Sequence, residues 1–317
     1  MTVPDADHGV LGSGAGVGSG QGIPGSGQGS RGAGDGVLGA SGGVLGAGRG
    51  PSLLGSVTLS LDEMQYLQEA LEIDELPVVL NAMGRYDNAA EHDAAMAAAA
   101  ASLAERELLD DDQVHPELAE RLRVLYRPHW VLAVRWYVGG QVNRLCLAKG
   151  SDFEVVALRG PGSYVIDEAS NDLAGTVLAA LGPCEPLELA GMNAPTEDLV
   201  PIFDDAGDAA TTAARLTKVC NPARDAQTLA SALVQVNSHA EIVGVLYGDG
   251  SRDQADSHVA VYNTRHGRFL AITTTASDGT KWTSFASGTP ARFRTALQDL
   301  LESLPLRSEF PGPSGNA

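Results

Sequence analysis

Aromatic residues make up only 5% of this 317-residue chain, and charged residues only 19%. Among the charged residues the basic ones are the fewer: 21 lysines and arginines stand against 40 aspartates and glutamates, a formal net charge of −19. A surface that acidic repels phosphate backbones, which excludes non-specific nucleic-acid binding, and it disfavours anionic membranes for the same reason. No run approaches 18 apolar residues, and glycine interrupts every apolar stretch near the N-terminus, so neither membrane insertion nor a secretory leader is expected. Cysteine is limited to Cys146, Cys184 and Cys220, an odd number without a CxxC pair. That pattern excludes a disulfide framework and a zinc knuckle, and predicts reduced thiols in a soluble, cytoplasmic protein.

Glycine, by contrast, is abundant: 38 residues, of which 20 fall in residues 1–55. The tetrapeptide GVLG recurs at Gly9–Gly12, Gly36–Gly39 and Gly43–Gly46. Such a segment buries too little apolar surface to offset its backbone entropy, so residues 1–54 are expected to form a flexible low-complexity tail. Three GxGxxG matches begin there, at Gly20, Gly27 and Gly34. A dinucleotide fingerprint needs a strand before it and a helix after it; neither is present, and no cofactor is expected. The rest of the chain carries −18; residues 55–308 are long enough to bury a sizeable core, with residues 309–317 as a flexible C-terminus.

Within that unit, Ser60-Leu61-Asp62-Glu63 has the form of a capping box, and Leu61, Met64, Leu67 and Leu71 follow at helical spacing. A short helix is expected from Pro77, an alanine-dense one over Asn88–Leu109, and another from Pro116 to before Pro128. The period then changes. Trp130–Val138, Val142–Ala148, Phe153–Arg159 and Ser163–Ile166 read as strands joined by glycine turns, followed by a helix over roughly Glu168–Leu181. The plan repeats: a helix from the N-cap Asn221 to about Val236, strands at Glu241–Gly248, Ser257–Asn263, Arg268–Thr275 and Lys281–Phe285, and a last helix capped by Thr289-Pro290. Phe153 and Phe269 take matching places in the third strands. The expected fold is α+β: one large antiparallel sheet built from two αββββα-like halves, about 55–190 and 191–308.

Catalytic signals are weak. The seven histidines offer no HxxxH or HxH pair; His258 and His266 flank one hairpin and read as strand-end and turn residues. The loop Asp249–Asp256 fails as a calcium loop, with Gln254 where glycine is required and Ala260 where a bidentate glutamate is required. The acidic run Glu107–Asp112 is explained by capping and solubility between helices. No GxSxG or Walker A motif lies in the folded region, and no metal site or enzymatic activity is expected. In Ser257–Asn263, Val259 and Val261 alternate with His258, Ala260 and Tyr262. In the next strand, Leu270 and Ile272 alternate with Ala271 and Thr273. One face is apolar and packs on helices; the other, small and weakly polar, is either an ordinary solvent face or a docking platform.

The segments VTLSLDEMQYLQEALEIDELPVVL, HPELAERLRVLYRPHWVLAVRW, NRLCLAKGSDFEVVALRG and TPARFRTALQDLLESL, in that order, resemble the EspG family. Its members are cytosolic secretion-associated chaperones of mycobacterial type VII (ESX) systems. The resemblance spans residues 55–306 and implies an α+β fold with helical bundles and an internal quasi-twofold repeat. It implies binding of the helical tip of the PPE protein in a PE–PPE heterodimer, through the sheet, the C-terminal helical bundle and a loop between early strands. The aggregation-prone partner is thereby kept soluble for secretion. That loop corresponds to Gly139-Gly140-Gln141. Strand alternation adds Tyr262, Thr273, Thr275 and Phe285 as contact residues, with Trp282 as an aromatic anchor. Self-association is left open. The competing reading is an enzyme or small-ligand protein using a groove on the sheet through His258.

Overall fold

Ser60 ends one element and starts the next. It is the last residue of strand β1 (Val57–Ser60) and the N-cap of helix α1 (Leu61–Ala70). Its hydroxyl accepts from the Glu63 N–H at 3.1 Å, while the Glu63 carboxylate accepts from the Ser60 N–H at 2.7 Å, completing the expected capping box. The structure, a computed structural model, describes residues 52–81, 86–170, 172–205, 207–248 and 251–304. After α1 come α2 (Ala89–Glu105), the small hairpin β2 (Leu109–Asp110) and β3 (Gln113–Val114), and α3 (Pro116–Tyr126). The four-strand meander β4 (Trp130–Val138), β5 (Gln141–Lys149), β6 (Glu154–Arg159) and β7 (Ser163–Glu168) follows, then α4 (Leu173–Leu181). The second half runs β8 (Met192–Pro195), α5 (Thr196–Asp204), α6 (Ala209–Val219) and α7 (Ala226–Leu233). It closes with β9 (Val236–Gly248), β10 (Ser251–Thr264), β11 (Gly267–Thr275), β12 (Lys281–Ser287) and α8 (Pro290–Glu302).

Ten strands form one antiparallel sheet in the order β1-β7-β6-β5-β4-β9-β10-β11-β12-β8. Outward from the β4–β9 junction the two sides match: the meander unrolls to its last strand, and the strand that opened the half closes the edge. Three cores follow from this arrangement. On one face, α1–α3 cover the first half through Leu67, Leu103, Leu118 and Leu122 against Cys146, Ala157, Tyr164 and Ile166. On that same face, α5–α7 cover the second half through Leu199, Ile202, Leu216 and Leu229 against Ala260, Tyr262, Phe269, Ala271 and Phe285. The opposite face is sealed along its middle by α4 and α8, where Val177, Phe293, Leu297 and Leu300 meet Leu132, Ile242, Val259, Val261 and Leu270.

Several expectations are corrected. No helix starts at Pro77: Val78–Leu80 makes a single turn closed by Leu80 N–H to Pro77 carbonyl, 2.7 Å, and residues 82–85 lie outside the described residues. Asn221 is not a cap, because its backbone is spent on two bonds to Asn193 at 2.8 and 3.0 Å, and the helix begins only at Ala226. Helices α5 and α6, and the edge strands β1 and β8, are additions to the expected list. Phe153 and Phe269 are not equivalent. The β5–β6 connection is longer than the two-residue β10–β11 turn, so Phe153 precedes its strand half-buried while Phe269 is the third residue of β11 and fully buried. The acidic run folds as β2–β3, with Asp111 and Asp112 at positive φ in its turn.

Composition put residues 52–54 in the tail, yet they are tied to α3. Arg121, fully buried, donates to the carbonyls of Leu54 and Gly55, and Glu117 accepts from the N–H groups of Leu53 and Leu54 at 3.1 and 2.8 Å. The hydroxyl of Ser52 and these N–H groups hold the Glu117 carboxyl down at about 2. The rest of the glycine-rich segment, the C-terminus 309–317, and Asp249 and Gly250 of the supposed calcium loop lie outside the described residues. Phe269→Ala should cost about 3–5 kcal/mol, because the site is closed by rigid strands and α5–α7. Half-buried Phe153→Ala should cost clearly less; urea unfolding of the two variants tests the ranking.

Candidate functional site

Where the two bundles stop, no described helix covers the sheet between them. Strand β4 presents Ala133, Arg135 and Tyr137 to this face, and β9 presents His239, Glu241 and Val243 directly opposite them. All six are partly or fully exposed, whereas Leu132, Val134, Ala240 and Ile242, pointing the other way, are buried under α4 and α8. The result is a floor flanked by α1–α3 and α5–α7. Arg252 of β10 closes one end: it pairs with Glu75, just beyond α1, and lies 5.6 Å from the Tyr247 ring centroid. At the other end stands the β4–β5 turn.

An aromatic ladder crosses from the open floor into the second bundle. Tyr137 stacks on His239 with ring centroids 4.5 Å apart, His239 lies 5.8 Å from Tyr262, and Tyr262 stacks on Phe269 at 4.7 Å. Phe203 of α5 then stacks on Phe285 at 5.8 Å, so the far end of the ladder is roofed by helix. Burial sets the protonation states. Desolvation lowers the His239 pKa and keeps the imidazole neutral near pH 7. Burial raises Glu241, and the Arg135 charge and a hydrogen bond from Tyr137 draw it part of the way back. Tyr137 is raised by burial and then by the Glu241 charge.

The residues expected to form the contact surface are dispersed by this geometry. Gly139 and Gly140 form the exposed two-residue β4–β5 turn with φ of 57° and 77°, the left-handed pair that a type I′ turn requires. Gln141 belongs to β5, paired with Val138, rather than to the loop. Tyr262, Thr273 and Phe285 lie beneath α5–α7, with exposures of 8%, 3% and 1%, so that side of β10–β12 is not an open platform. Thr273 is structural: its hydroxyl bonds Thr283 at 2.9 Å, and Thr283 bonds Thr196 at the start of α5 at 3.0 Å. Thr275 is exposed, but six residues along β11 from Phe269 it sits about 20 Å from that end of the ladder. Trp282, 37% exposed, points to the opposite face, alternating with Thr283 and Phe285's side. His258 and His266 stand at opposite ends of the β10–β11 pairing and do not meet.

The sequence reading missed Arg135, Arg144, His239, Glu241 and Val243. For the four polar ones the signal was present, as polar members of strands with an otherwise apolar alternation; Val243 carried none. Further clefts among the described residues include one of about 580 Å³ between α1, α2 and β1, reaching Glu63 and Arg106, and an apolar one of about 270 Å³ beside the end of α4, lined by Trp136 and Leu158 and also by Arg144 and Arg159. Among the described residues no three His, Cys, Asp or Glu side chains converge on a metal position. No described helix is long and apolar enough to cross a membrane.

The profile of the EspG family matches residues 60–299, which covers both bundles and the sheet apart from most of edge strand β1. The chain is 26% identical over 265 residues to the ESX-1 secretion-associated protein EspG1 of Mycobacterium tuberculosis (strain ATCC 25618 / H37Rv), covering 81% of this chain and 90% of that protein. It is 28% identical over 272 residues to the ESX-3 secretion-associated protein EspG3 of Mycolicibacterium smegmatis, covering 81% and 89%. Among solved structures it resembles the Mycobacterium tuberculosis type VII secretion system chaperone EspG5, determined in complex with a PE25–PPE41 dimer. The TM-score is 0.66 at 18% identity, over 80% of this chain and 98% of that one.

The depressed His239 pKa has a sign that can be measured. The unfolded chain takes up the proton more readily, so the stability contributed by neutral His239 is full above pH 6.5 and is lost as pH falls through the lower folded value. Urea unfolding at pH 7.5 and 5.5 should show a smaller loss for His239→Gln than for the wild type; equal losses would mean that the ring is not desolvated.

Proposed function

Because the chain belongs to the EspG family, we propose that it is a chaperone of a type VII (ESX) secretion system. It binds a PE–PPE heterodimer in the cytoplasm through the tip of the PPE protein and keeps the pair soluble until export. It works by binding alone, without catalysis. The observation that carries this reading is the uncovered floor between the two bundles, in a fold similar to that of a chaperone determined with a PE–PPE dimer bound.

The physical case has three parts. A floor with Tyr137, Val243 and Ala133 gives apolar and aromatic area to an exposed helical tip, in the mixture that interface cores favour. The bundle walls supply the remaining area towards the about 800 Å² per partner of a standard interface. Burying the tip removes an aggregating patch from water, and the strongly acidic outer surface keeps the complex apart from its copies. The Gly139-Gly140 turn borders the floor and contributes mainly backbone groups. Residues 52–304 suffice for binding in this reading, and the glycine-rich segment before them is dispensable for it. A small-ligand site worked by His258 has no comparable support: His258 and His266 stand at opposite ends of their hairpin and do not meet.

Co-expression with PE–PPE pairs from the same organism, followed by pull-down and size-exclusion chromatography, should yield a complex with one copy of each chain. Deleting residues 1–51 should leave it intact. Val243→Asp should weaken it by at least about tenfold, by placing an unpaired charge in a desolvated contact, while Trp282→Ala on the opposite face should leave it unchanged. Absence of a complex with every pair, with each pair soluble by itself, would contradict the reading.

A further inference from the structure

Three arginines stand side by side on the open face. Arg135 of β4 is directly opposite Arg144 of β5, and Arg144 is directly opposite Arg159 of β6. Neighbouring strands are about 4.8 Å apart, so the three stems project from one face at that spacing. Like charges placed directly opposite in a sheet are destabilising. Here the arrangement occurs in a chain with nearly two acidic residues for every basic one.

The row's internal partners are few. Arg135 stands directly opposite Glu241 across the β4–β9 seam, the carboxylate that borders the row, and hydrogen-bonds the Tyr137 hydroxyl. Arg144 reaches the Val142 carbonyl only at 3.4 Å, and the charges acting on it include the two flanking guanidiniums. Arg159 donates to the Asn81 carbonyl and lies 6.0 Å from the Tyr164 ring centroid, and its Nε is buried with no hydrogen-bond partner among the described residues. Arg135 is exposed and Arg144 half-exposed, so two of the three guanidiniums remain within reach from outside.

We propose that the Arg135–Arg144–Arg159 row is a carboxylate receptor that selects a partner helix carrying two acidic residues one turn apart. This rests on the PE–PPE reading and assigns the helix to the PPE protein. The geometry matches, since residues i and i+4 of a helix have Cβ atoms about 5–6 Å apart, close to the spacing of the row. A helix lying across the strands therefore sets one carboxylate against Arg135 and the next against Arg144. Guanidinium–carboxylate pairs are frequently bidentate, which fixes register as well as adding affinity. Docking also relieves the repulsion that the free chain carries. The same row turns away helices whose corresponding positions are basic, so it acts in partner choice.

Two arms test it. In the first, Arg135→Glu with Arg144→Glu is compared with the wild type for binding to a cognate PE–PPE pair at 50 and 300 mM salt. The expectation is at least about 100-fold weaker binding at low salt, a shallower salt dependence, and recovery when the partner's two acidic residues are changed to lysine. Arg144→Gln, which keeps the stem packing, serves if the double variant does not fold and should lose about tenfold. In the second arm, the full chain is titrated with a labelled helical peptide carrying two Glu-x3-Glu pairs and with its Gln counterpart. The Glu peptide should bind at least about tenfold more tightly, and the difference should vanish in Arg144→Gln. Unchanged PE–PPE binding by folded variants, or equal binding of the two peptides, overturns the row's role. If the wild type captures no PE–PPE pair, the functional reading fails by itself and the peptide arm alone decides the row.

Discussion

Strands β4 and β9 meet antiparallel over nine residue pairs, from Trp130 against Leu246 to Val138 against Ser238, and at this seam two five-strand halves become one sheet. An antiparallel seam between like units relates them by an approximate two-fold axis normal to the sheet, and such an axis keeps each face a face. The three helices that precede each meander therefore land on the same side, at opposite flanks. The single helix that follows each meander lands on the other side and is brought to the middle, where Arg294 of α8 reaches Asp172, the N-cap of α4, at 2.9 Å. One face is closed at its centre and the other at its flanks. The open floor follows from the seam and from the order of helices and strands in each half.

The chemistry of that floor departs from the rules kept elsewhere in the molecule. The cores under the bundles are leucine, alanine and aromatic residues with few polar members, and buried groups such as Glu63 and Thr273 are bonded, while Thr212 Oγ1 and Arg121 Nε have no hydrogen-bond partner among the described residues. On the floor, a neutral histidine is stacked between tyrosines, a carboxylate is partly desolvated, and guanidiniums stand opposite one another. Local departures of this kind, in a chain otherwise consistent with its fold, mark the places where function sets the residue.

Much of the fold was legible because the signals were local. The period-2 run Trp130–Val138 and the caps Ser60 and Thr289 place their elements to the residue. The edge strands were not, since four residues such as Val57–Ser60 or Met192–Pro195 carry too little alternation to separate strand from loop, and their pairing with β7 and β12 is non-local. The site was harder. Alternation correctly separated the two faces of β10 and β11 but said nothing about what covers each one. Small residues such as Ala260 and Ala271 were read as room for a partner, and they are instead the close-approach positions of α5–α7. The floor residues of β4 and β9 become a surface only when the two halves join, and that is a tertiary fact.

The central claim is that the partner sits on the face of β4 and β9 between the bundles. A photo-crosslinking amino acid at Val243 on that face, and at Ser284 on the exposed opposite face of β12, tests it directly. On illumination of co-expressed chaperone and PE–PPE pair, position 243 should capture the PPE chain and position 284 should not. Capture from 284 with none from 243 would place the partner on the other side of the sheet and contradict the account.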